Sequence, residues 1–429
     1  MLLPTAVIIL VLLALVCTAW LKKATKVQSL LPPGPSPLPL IGNIHHITPG
    51  KFLVSLQKFQ EKYGPVFTIY IGSKPTVVLC GYDLLKETLI DQKDAFSGRG
   101  KPFDPTFLFS CAVSNIICSI VFGKHYEYKD ERFLTLLRNI NGTLRFMNSS
   151  WGLIFYYFHG LLINVPGPHQ QGVHCLTDLK SFVKERVKSS LKTLDVLSPR
   201  HFIDCFLIKM QQDKENPDTE FHMENLVSST LNLFTAGTET VSTTLRYGCL
   251  VLLKYQDIQG KIQKEIDQVI GDKCPSAEDR FKMPYTEAVI HEIQRFSDIV
   301  PTGLPHRTTE ETSVRGYVIP KDMDVLPLLT TVLKDPKYFP QPEMFSPERF
   351  LDDQGALKKG LAVLPFSAGR RQCPGEGLAR MELFLFLTIL LQKFTLTTPV
   401  SPEDLDLTPE TSSAGHFPRY YKMSAIPRH

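Results

Sequence analysis

The fold of this 429-residue chain is decided by one stretch, Phe366-Ser367-Ala368-Gly369-Arg370-Arg371-Gln372-Cys373-Pro374-Gly375. Residues 375–394, which follow it, are apolar and long enough to form a buried helix. A cysteine just before a helix faces the positive end of the helix dipole and free backbone N–H groups, which favour thiolate over thiol. Cys373 is therefore a candidate for chemistry. The alternative is a buried structural cysteine, the usual role of a lone Cys.

The other residues of this stretch suit a flat, anionic ligand. Gly369 and Gly375 allow the backbone to pass close to such a ligand or to turn with positive φ. Arg371 can pair with an anionic group on it. The stretch resembles the haem-binding loop of the cytochromes P-450, F-x-x-G-x-R-x-C-x-G, at every fixed position, beginning with Phe366.

This resemblance implies a fold class and a cofactor. The fold would be that of the cytochromes P-450, mostly α with small β-sheets (α+β), plus one N-terminal transmembrane helix. The cofactor would be haem b, iron protoporphyrin IX, with the Cys373 thiolate as the axial ligand and thus the metal-binding residue. Four further residues of the stretch would contact the cofactor: Phe366, Gly369, Arg371 and Gly375.

Ala236-Gly237-Thr238-Glu239-Thr240 resembles the oxygen-binding groove of the same family. By resemblance, Thr240 and Glu239 would be the catalytic residues that relay protons to dioxygen, Ala236 would contact haem, and Gly237 would leave room for the ligand. A threonine inside a helix has a simpler alternative, because its hydroxyl can bond back to a carbonyl one turn earlier.

Two more motifs follow in the order of the family: Glu292-Ile293-Gln294-Arg295 and Pro347-Glu348-Arg349-Phe350. By resemblance, Glu292, Arg295 and Arg349 would form a buried network that supports the cysteine loop. The alternative is a solvated i, i+3 pair, worth a few tenths of a kcal/mol.

The remaining pattern is mostly helical. Helix dominates residues 104–270, with one long apolar helix predicted at 224–255 and an amphipathic one at 256–270. Another is predicted at 283–297, entered through Pro284. Short strands and proline-rich loops are expected between it and the last helix. Residues 66–71 and 76–80 predict a hairpin joined by residues 72–75.

The N-terminus predicts a membrane anchor. Residues 2–20 carry no charge, and Lys22, Lys23 and Lys26 follow. About twenty apolar residues cross a bilayer, and the lysines place the rest of the chain in the cytosol. The alternative, a cleaved signal peptide, lacks a basic n-region and a cleavage site. We expect an anchor at 1–21, a basic and proline-rich linker at 22–50, and a haem-thiolate monooxygenase domain at 51–429.

Composition excludes other classes of protein. A hydrophobic content of 43% and a charged content of 21% are typical of a packed globular chain, and a net charge of +4 is too small to indicate nucleic-acid binding. The nine cysteines include no C-x-x-C pair, so a disulfide framework or a structural zinc site is not expected.

One expected segment is missing from the sequence. Residues 96–100 and 103–106 both resemble the family, but the helix between them should carry W-x-x-x-R, which binds a haem propionate. The chain contains only Trp20 and Trp151, and neither is followed by an arginine four residues later. We therefore expect an internal deletion near 101–103, such as a skipped exon. By resemblance Arg371, His306 and Arg99 remain as propionate donors.

Two functions follow. In the first, the chain is a monooxygenase that inserts one oxygen atom from O2 into apolar xenobiotics, fatty acids or steroids. Its electrons would come from NADPH through NADPH–cytochrome reductase, with cytochrome b5 as a further partner. Its location would be the endoplasmic reticulum membrane. The second is an impaired or inactive membrane-bound isoform that binds haem weakly or not at all. The expected pocket-lining segments are 233–236, 300–304 and 415–417.

Overall fold

A computed structural model describes residues 31–38, 41–47, 52–72, 74–81, 84, 86–87, 102–358, 360, 363–410 and 415–428. The chain divides into two compact units, residues 1–99 and 100–429, and each is described separately. The predicted anchor at 1–21 and the donor Arg99 lie outside the described residues. Among those that are described, none of the helices is both long and apolar enough to span a bilayer.

The first unit contains one helix and one antiparallel hairpin. These elements are α1 (Phe52–Tyr63), β1 (Val66–Ile71) and β2 (Lys74–Leu79). Ile71 pairs with Lys74, so the connection is shorter than the four residues predicted. Pro75 fits within β2 because a two-stranded ribbon leaves one edge of each strand free, where a missing N–H costs nothing.

The proline-rich segment, expected from its prolines to be a stiff, extended spacer, contacts the hairpin of this unit in its described part. The N–H of Thr68 in β1 donates a hydrogen bond to the Pro33 carbonyl at 2.9 Å. A Cβ on Gly34 would lie 1.8 Å from the Thr68 carbonyl oxygen, so the backbone passes too close to β1 for any side chain. The segment is therefore packed against the hairpin.

The second unit is mainly helical. Its helices are α2 (Thr106–Phe122), α3 (Glu131–Met147), α4 (Ser150–Leu162), α5 (His169–Lys192), α6 (Phe202–Gln212), α7 (Met223–Lys254), α8 (Gln256–Val269), α9 (Pro284–Ser297), α10 (Thr330–Leu333) and α11 (Glu376–Lys393). The four helices predicted with boundaries agree with the structure to within one residue at each end.

Four two-stranded antiparallel sheets complete this unit. Their strands are β3 (His306–Arg307), β4 (Thr312–Val314), β5 (Tyr317–Ile319), β6 (Asp324–Val325), β7 (Phe394–Thr397), β8 (Pro409–Glu410), β9 (Phe417–Pro418) and β10 (Ser424–Pro427). The pairs are β3–β6, β4–β5, β7–β10 and β8–β9. The expected strands between α9 and α11 are therefore present, and the mostly α fold class with small sheets is confirmed.

Helix α7 is central because it contributes to two hydrophobic clusters. One cluster joins its C-terminal half to α8, α9 and α11, and includes Leu250, Ile293 and Phe384. The other joins its N-terminal half to α2, α3, α5 and α6, and includes Phe234. With both ends buried in apolar contacts, α7 is a fixed support for the polar residues near its middle.

Candidate functional site

Residues 366–375, here called the cysteine loop, form a compact turn before α11. The Cys373 N–H donates to the Phe366 carbonyl at 3.0 Å and closes the loop. Gly369 has φ +76°, as expected from a glycine that turns the chain, whereas Gly375 has φ −90° and has no such requirement. The Cys373 side chain is exposed, so the alternative of a buried structural cysteine is excluded.

The charged motif residues Glu292, Arg295 and Arg349 form one buried network. Glu292 accepts hydrogen bonds from Arg295 at 2.6 and 2.8 Å, from Arg349 Nε at 3.1 Å and from the Ser346 N–H at 2.9 Å. The side chains of Glu292 and Arg295 are both 0% exposed. These two residues are therefore a buried pair, and the alternative of a solvated pair is wrong.

The arginines of this network bond to backbone carbonyls with their other nitrogens. Arg295 Nη1 donates to Leu333 O at 3.0 Å, and Arg349 donates to Pro340 O at 3.0 Å and to Met344 O at 2.9 Å. Because every charge has a partner, burial of the network is compatible with a stable fold. The network joins α9 to the 3₁₀ turn Pro347–Phe350.

The motif in α7 presents a polar group on one face and a buried acid on another. The Thr240 hydroxyl donates to Ala236 O at 2.8 Å, which is the local bond weighed as the simpler alternative. Its oxygen still has a free lone pair. Glu239 is buried, and burial raises the pKa of its carboxyl group. The nearest hydroxyl partner, Thr243, is 3.5 Å from one oxygen, and the other oxygen has no partner among the described residues.

Gly237 has a packing reason in this structure. A Cβ at this position would lie 2.7 Å from Cδ1 of Ile117, a side chain of α2. Because Cδ1 is the end of a flexible side chain, an alanine at this position would require the Ile117 side chain to move. The resemblance had indicated a different reason, namely room for a ligand.

A cavity of about 40 Å³ lies between α7, α9, α11 and the cysteine loop. It brings together Thr240, Val300 and Phe366, three predicted residues that are far apart in the sequence. Its walls are otherwise mainly apolar, and the remaining lining residues are Val241, Thr244, Gln294, Asp298, Ile299, Leu329, Leu333, Pro365, Ala379 and Leu383.

Other predicted residues lie away from this cavity. Phe234 is fully buried in the core against Phe122, so it does not line a pocket. Leu304 is 75% exposed. His306 pairs with Val325 in the β3–β6 sheet, and Arg371 is exposed in the 3₁₀ turn of the cysteine loop. Ala236 is exposed on α7.

Two buried hydrogen-bond acceptors in the cavity wall, Asp298 and Gln294, were not predicted from any motif. Asp298, with φ 44°, ends α9, and Gln294 lies one turn before it. Burial raises the pKa of Asp298, and the nearest His416 nitrogen is 3.8 Å from its carboxylate. Residues at a helix end cannot be assigned to a cavity before the packing is known.

Comparison with known proteins identifies the family. The sequence pattern of the family described as Cytochrome P450 matches residues 32–103 and 99–421. The chain belongs to the cytochrome P450 family. It is 44% identical to cytochrome P450 2G1 of Oryctolagus cuniculus, with 96% of each chain covered, and 44% identical to cytochrome P450 2A4 of Mus musculus, with 100% of this chain and 99% of the relative covered. Identity to cytochrome P450 2A13 of Homo sapiens is also 44%, over 94% of each chain.

As a cytochrome P450, the chain has haem as its cofactor, held through a cysteine thiolate. Its reaction is the monooxygenation of an organic substrate with O2 and a redox partner. The residues present fit this cofactor. An exposed thiol precedes a helix N-terminus, Arg371 and the half-buried His306 offer donors for carboxylates, and the loop adjoins an apolar cavity beside α7.

Proposed function

We propose that this cytochrome P450 is a membrane-bound haem-thiolate monooxygenase whose axial ligand is Cys373. The observation that carries the proposal is the exposed Cys373 thiol at the start of α11, in a loop whose Phe366 lines a cavity that also contains Thr240. An apolar cavity wall excludes water from the groups that react beside it.

Each of the remaining site residues has a proposed role. When bound, the haem supplies the activation of O2 and the oxidation of the substrate. Arg371, His306 and Arg99 would donate hydrogen bonds to its carboxylates. Thr240, with a free lone pair beside the cavity, and Glu239, a buried acid with a raised pKa, would hold and pass protons.

The proposed substrates and partners follow from the resemblance to the microsomal cytochromes P-450. The resemblance supports apolar substrates such as xenobiotics, fatty acids or steroids, and the mainly apolar lining of the small cavity agrees with them in polarity. We propose NADPH–cytochrome reductase as electron donor, cytochrome b5 as a further donor, and the endoplasmic reticulum membrane as the location. The uncharged run at residues 2–20, followed by lysines, supports an anchor with a cytosolic catalytic domain.

Replacement of Cys373 tests the proposal. Membranes that contain the wild-type chain, reduced with dithionite and treated with carbon monoxide, should show the thiolate-type Soret band. Cys373→Ala should abolish it, whereas Cys274→Ala, which removes another exposed cysteine, should leave it unchanged. Retention of the band in Cys373→Ala would refute the assignment of the ligand.

An impaired isoform is a second candidate function. It is favoured because the boundary between the two family matches coincides with the boundary between the two compact units. The family matches meet at residues 99–103, and the two compact units divide at Arg99 and Gly100. The alignment with the rabbit relative runs over 478 positions but includes only 96% of these 429 residues, so on the order of sixty of its positions are gaps in this chain.

A deletion at this place would remove a helix that binds haem and covers apolar surface. Phe107, Leu108 and Ile120 of α2, which begins soon after the break, are about half exposed, in keeping with a lost neighbour. Haem content and turnover with reductase and NADPH should both be low in wild type and should rise in a chimera that carries the corresponding segment of cytochrome P450 2A13. Full haem content and turnover in the unmodified chain would exclude this candidate.

A further inference from the structure

Arg380 makes contacts at both ends of the cysteine loop although it lies outside it, on α11. Its guanidinium lies over the Phe366 ring, with 5.1 Å between Cζ and the ring centroid. Its Nε donates to Glu376 Oε1 at 2.8 Å, and the other oxygen of Glu376 accepts a hydrogen bond from the side chain of Gln372. Gln372 is the residue directly before Cys373, so Arg380 reaches the start of the loop directly and its end through Glu376.

The same guanidinium is anchored to α9. Arg380 Nη1 lies 3.0 Å from His291 Nε2, and His291 Nδ1 lies 2.8 Å from the Glu287 carbonyl oxygen. Because arginine can only donate, His291 Nε2 must accept, and its proton must be on Nδ1. Burial lowers the pKa of His291 to about 4, so the imidazole is neutral at physiological pH and available as an acceptor.

These contacts are shielded from water. The side chain of Arg380 is 16% exposed and that of His291 also 16%, and in this environment charge-assisted hydrogen bonds are stronger than on an open surface. A planar guanidinium can stack on a ring and donate in two directions at once, which a lysine cannot do. We call Arg380, Glu376, His291, Phe366 and Gln372 the arginine clamp.

We propose that Arg380 is a positioning residue for Cys373, which ties both ends of the cysteine loop to His291 of α9 and so fixes the direction of the thiolate. The proposal rests on the proposed function, in which Cys373 is the axial ligand. The proposal gives Arg380 and His291, which lie outside the cysteine loop and 89 positions apart in the sequence, a role in holding that loop in place.

The test is spectroscopic and requires no reductase or substrate. The full chain loaded with haem is reduced with dithionite under carbon monoxide, and the rate at which the thiolate-type Soret band is lost is measured. In Arg380→Met the loss should be about tenfold faster or more, the change expected when a charge-assisted hydrogen bond is removed. Arg380→Lys should lie between wild type and Arg380→Met, because one ammonium cannot bridge Glu376 and His291.

Two controls separate positioning from general stability. Arg132→Met removes an exposed arginine that pairs with Glu185 at 3.2 Å, and it should leave the rate unchanged. His291→Leu should also accelerate the loss, and Arg380→Met combined with His291→Leu should lose the band no faster than Arg380→Met alone, because both act through one contact. The urea midpoint of each variant, measured in parallel, reports any change in stability alone.

The outcomes are distinguishable. A wild-type rate in Arg380→Met would overturn the proposal while leaving Cys373 as the ligand. A wild-type chain with no thiolate band would instead remove the proposed function. In that case alkylation of Cys373 by iodoacetamide, followed by mass spectrometry, still tests the clamp: Arg380→Met must change the alkylation rate, and an unchanged rate overturns the proposal.

Discussion

Two buried glutamates near the cysteine loop are in opposite situations. Glu292 of α9 is 0% exposed and accepts four hydrogen bonds from Arg295, Arg349 and Ser346. Glu382 of α11 is 4% exposed, and neither of its oxygens has a hydrogen-bond partner among the described residues. Burial alone raises the pKa of Glu382 to about 7. Cations and N–H groups surround the Glu292 carboxylate and offset the cost of burying its charge, whereas burial of Glu382 without partners favours its neutral, protonated form.

The largest expected effect comes from breaking the paired region. Glu292→Ala leaves Arg295 buried without its carboxylate, so the free energy of unfolding should fall by about 3–5 kcal/mol, the range for breaking a buried pair. Urea denaturation followed by circular dichroism measures this change.

Glu382→Ala is the matched control, because it removes the same side chain from the unpaired site. At pH 8 it should lower the free energy of unfolding clearly less than Glu292→Ala does. The substitution creates a cavity, which is destabilising, but it also removes an unpaired buried charge, which is stabilising. Equal losses in the two variants would contradict the distinction between paired and unpaired carboxylates.

The next effect concerns the pH dependence of stability. In the folded chain the pKa of Glu382 is about 7, whereas in the unfolded chain the carboxyl group releases its proton near its ordinary pKa of 4.5. Its contribution to stability is therefore complete below about pH 4.5 and is lost as the pH rises to about 7. Glu382→Gln should abolish this loss and be more stable than wild type at pH 8 by about 3 kcal/mol, because a shift from 4.5 to about 7 corresponds to 1.36 kcal/mol per pKa unit.

Urea unfolding at about pH 5 and pH 8 measures this difference, and the comparison needs both pH values. The gain in Glu382→Gln should shrink at the lower pH, because wild-type Glu382 is then protonated in the folded state. A gain that is the same at both pH values would show that the carboxyl group is not the cause.

The smallest effect on stability is expected at Thr240, whose hydroxyl is satisfied locally. Thr240→Val removes a bond to a carbonyl that also belongs to the helix, so the free energy of unfolding should change by less than about 1 kcal/mol. If Thr240 passes protons, the ratio of product formed to NADPH consumed should nevertheless fall several-fold. Thr177→Val is the matched control, because the Thr177 hydroxyl makes the same 2.8 Å bond to Val173 O on an exposed face of α5. An unchanged ratio in Thr240→Val would remove Thr240 from the proton path.

Local patterns were sufficient for the helices and for the cysteine loop. The limits of α7, α9 and α11 were predictable because apolar spacing, Pro284 and the glycine before α11 act within a few residues. The limits of β2 were less predictable, because a two-stranded ribbon tolerates a proline that would interrupt a central strand. The contact of the proline-rich segment with Thr68 was not predictable from local patterns, because it depends on a strand more than thirty residues later.

Motifs with specific spacing were enough to predict the family, the cofactor class and the three charged residues of the Glu292 network. Three features emerged only when the helices packed: Arg380 contacts His291 across two helices, Glu382 is buried without a partner among the described residues, and Gly237 lies against the Ile117 side chain. The physical reason is that hydrogen-bond satisfaction and desolvation depend on which side chains meet in space, and residues far apart in the chain meet only after the helices pack.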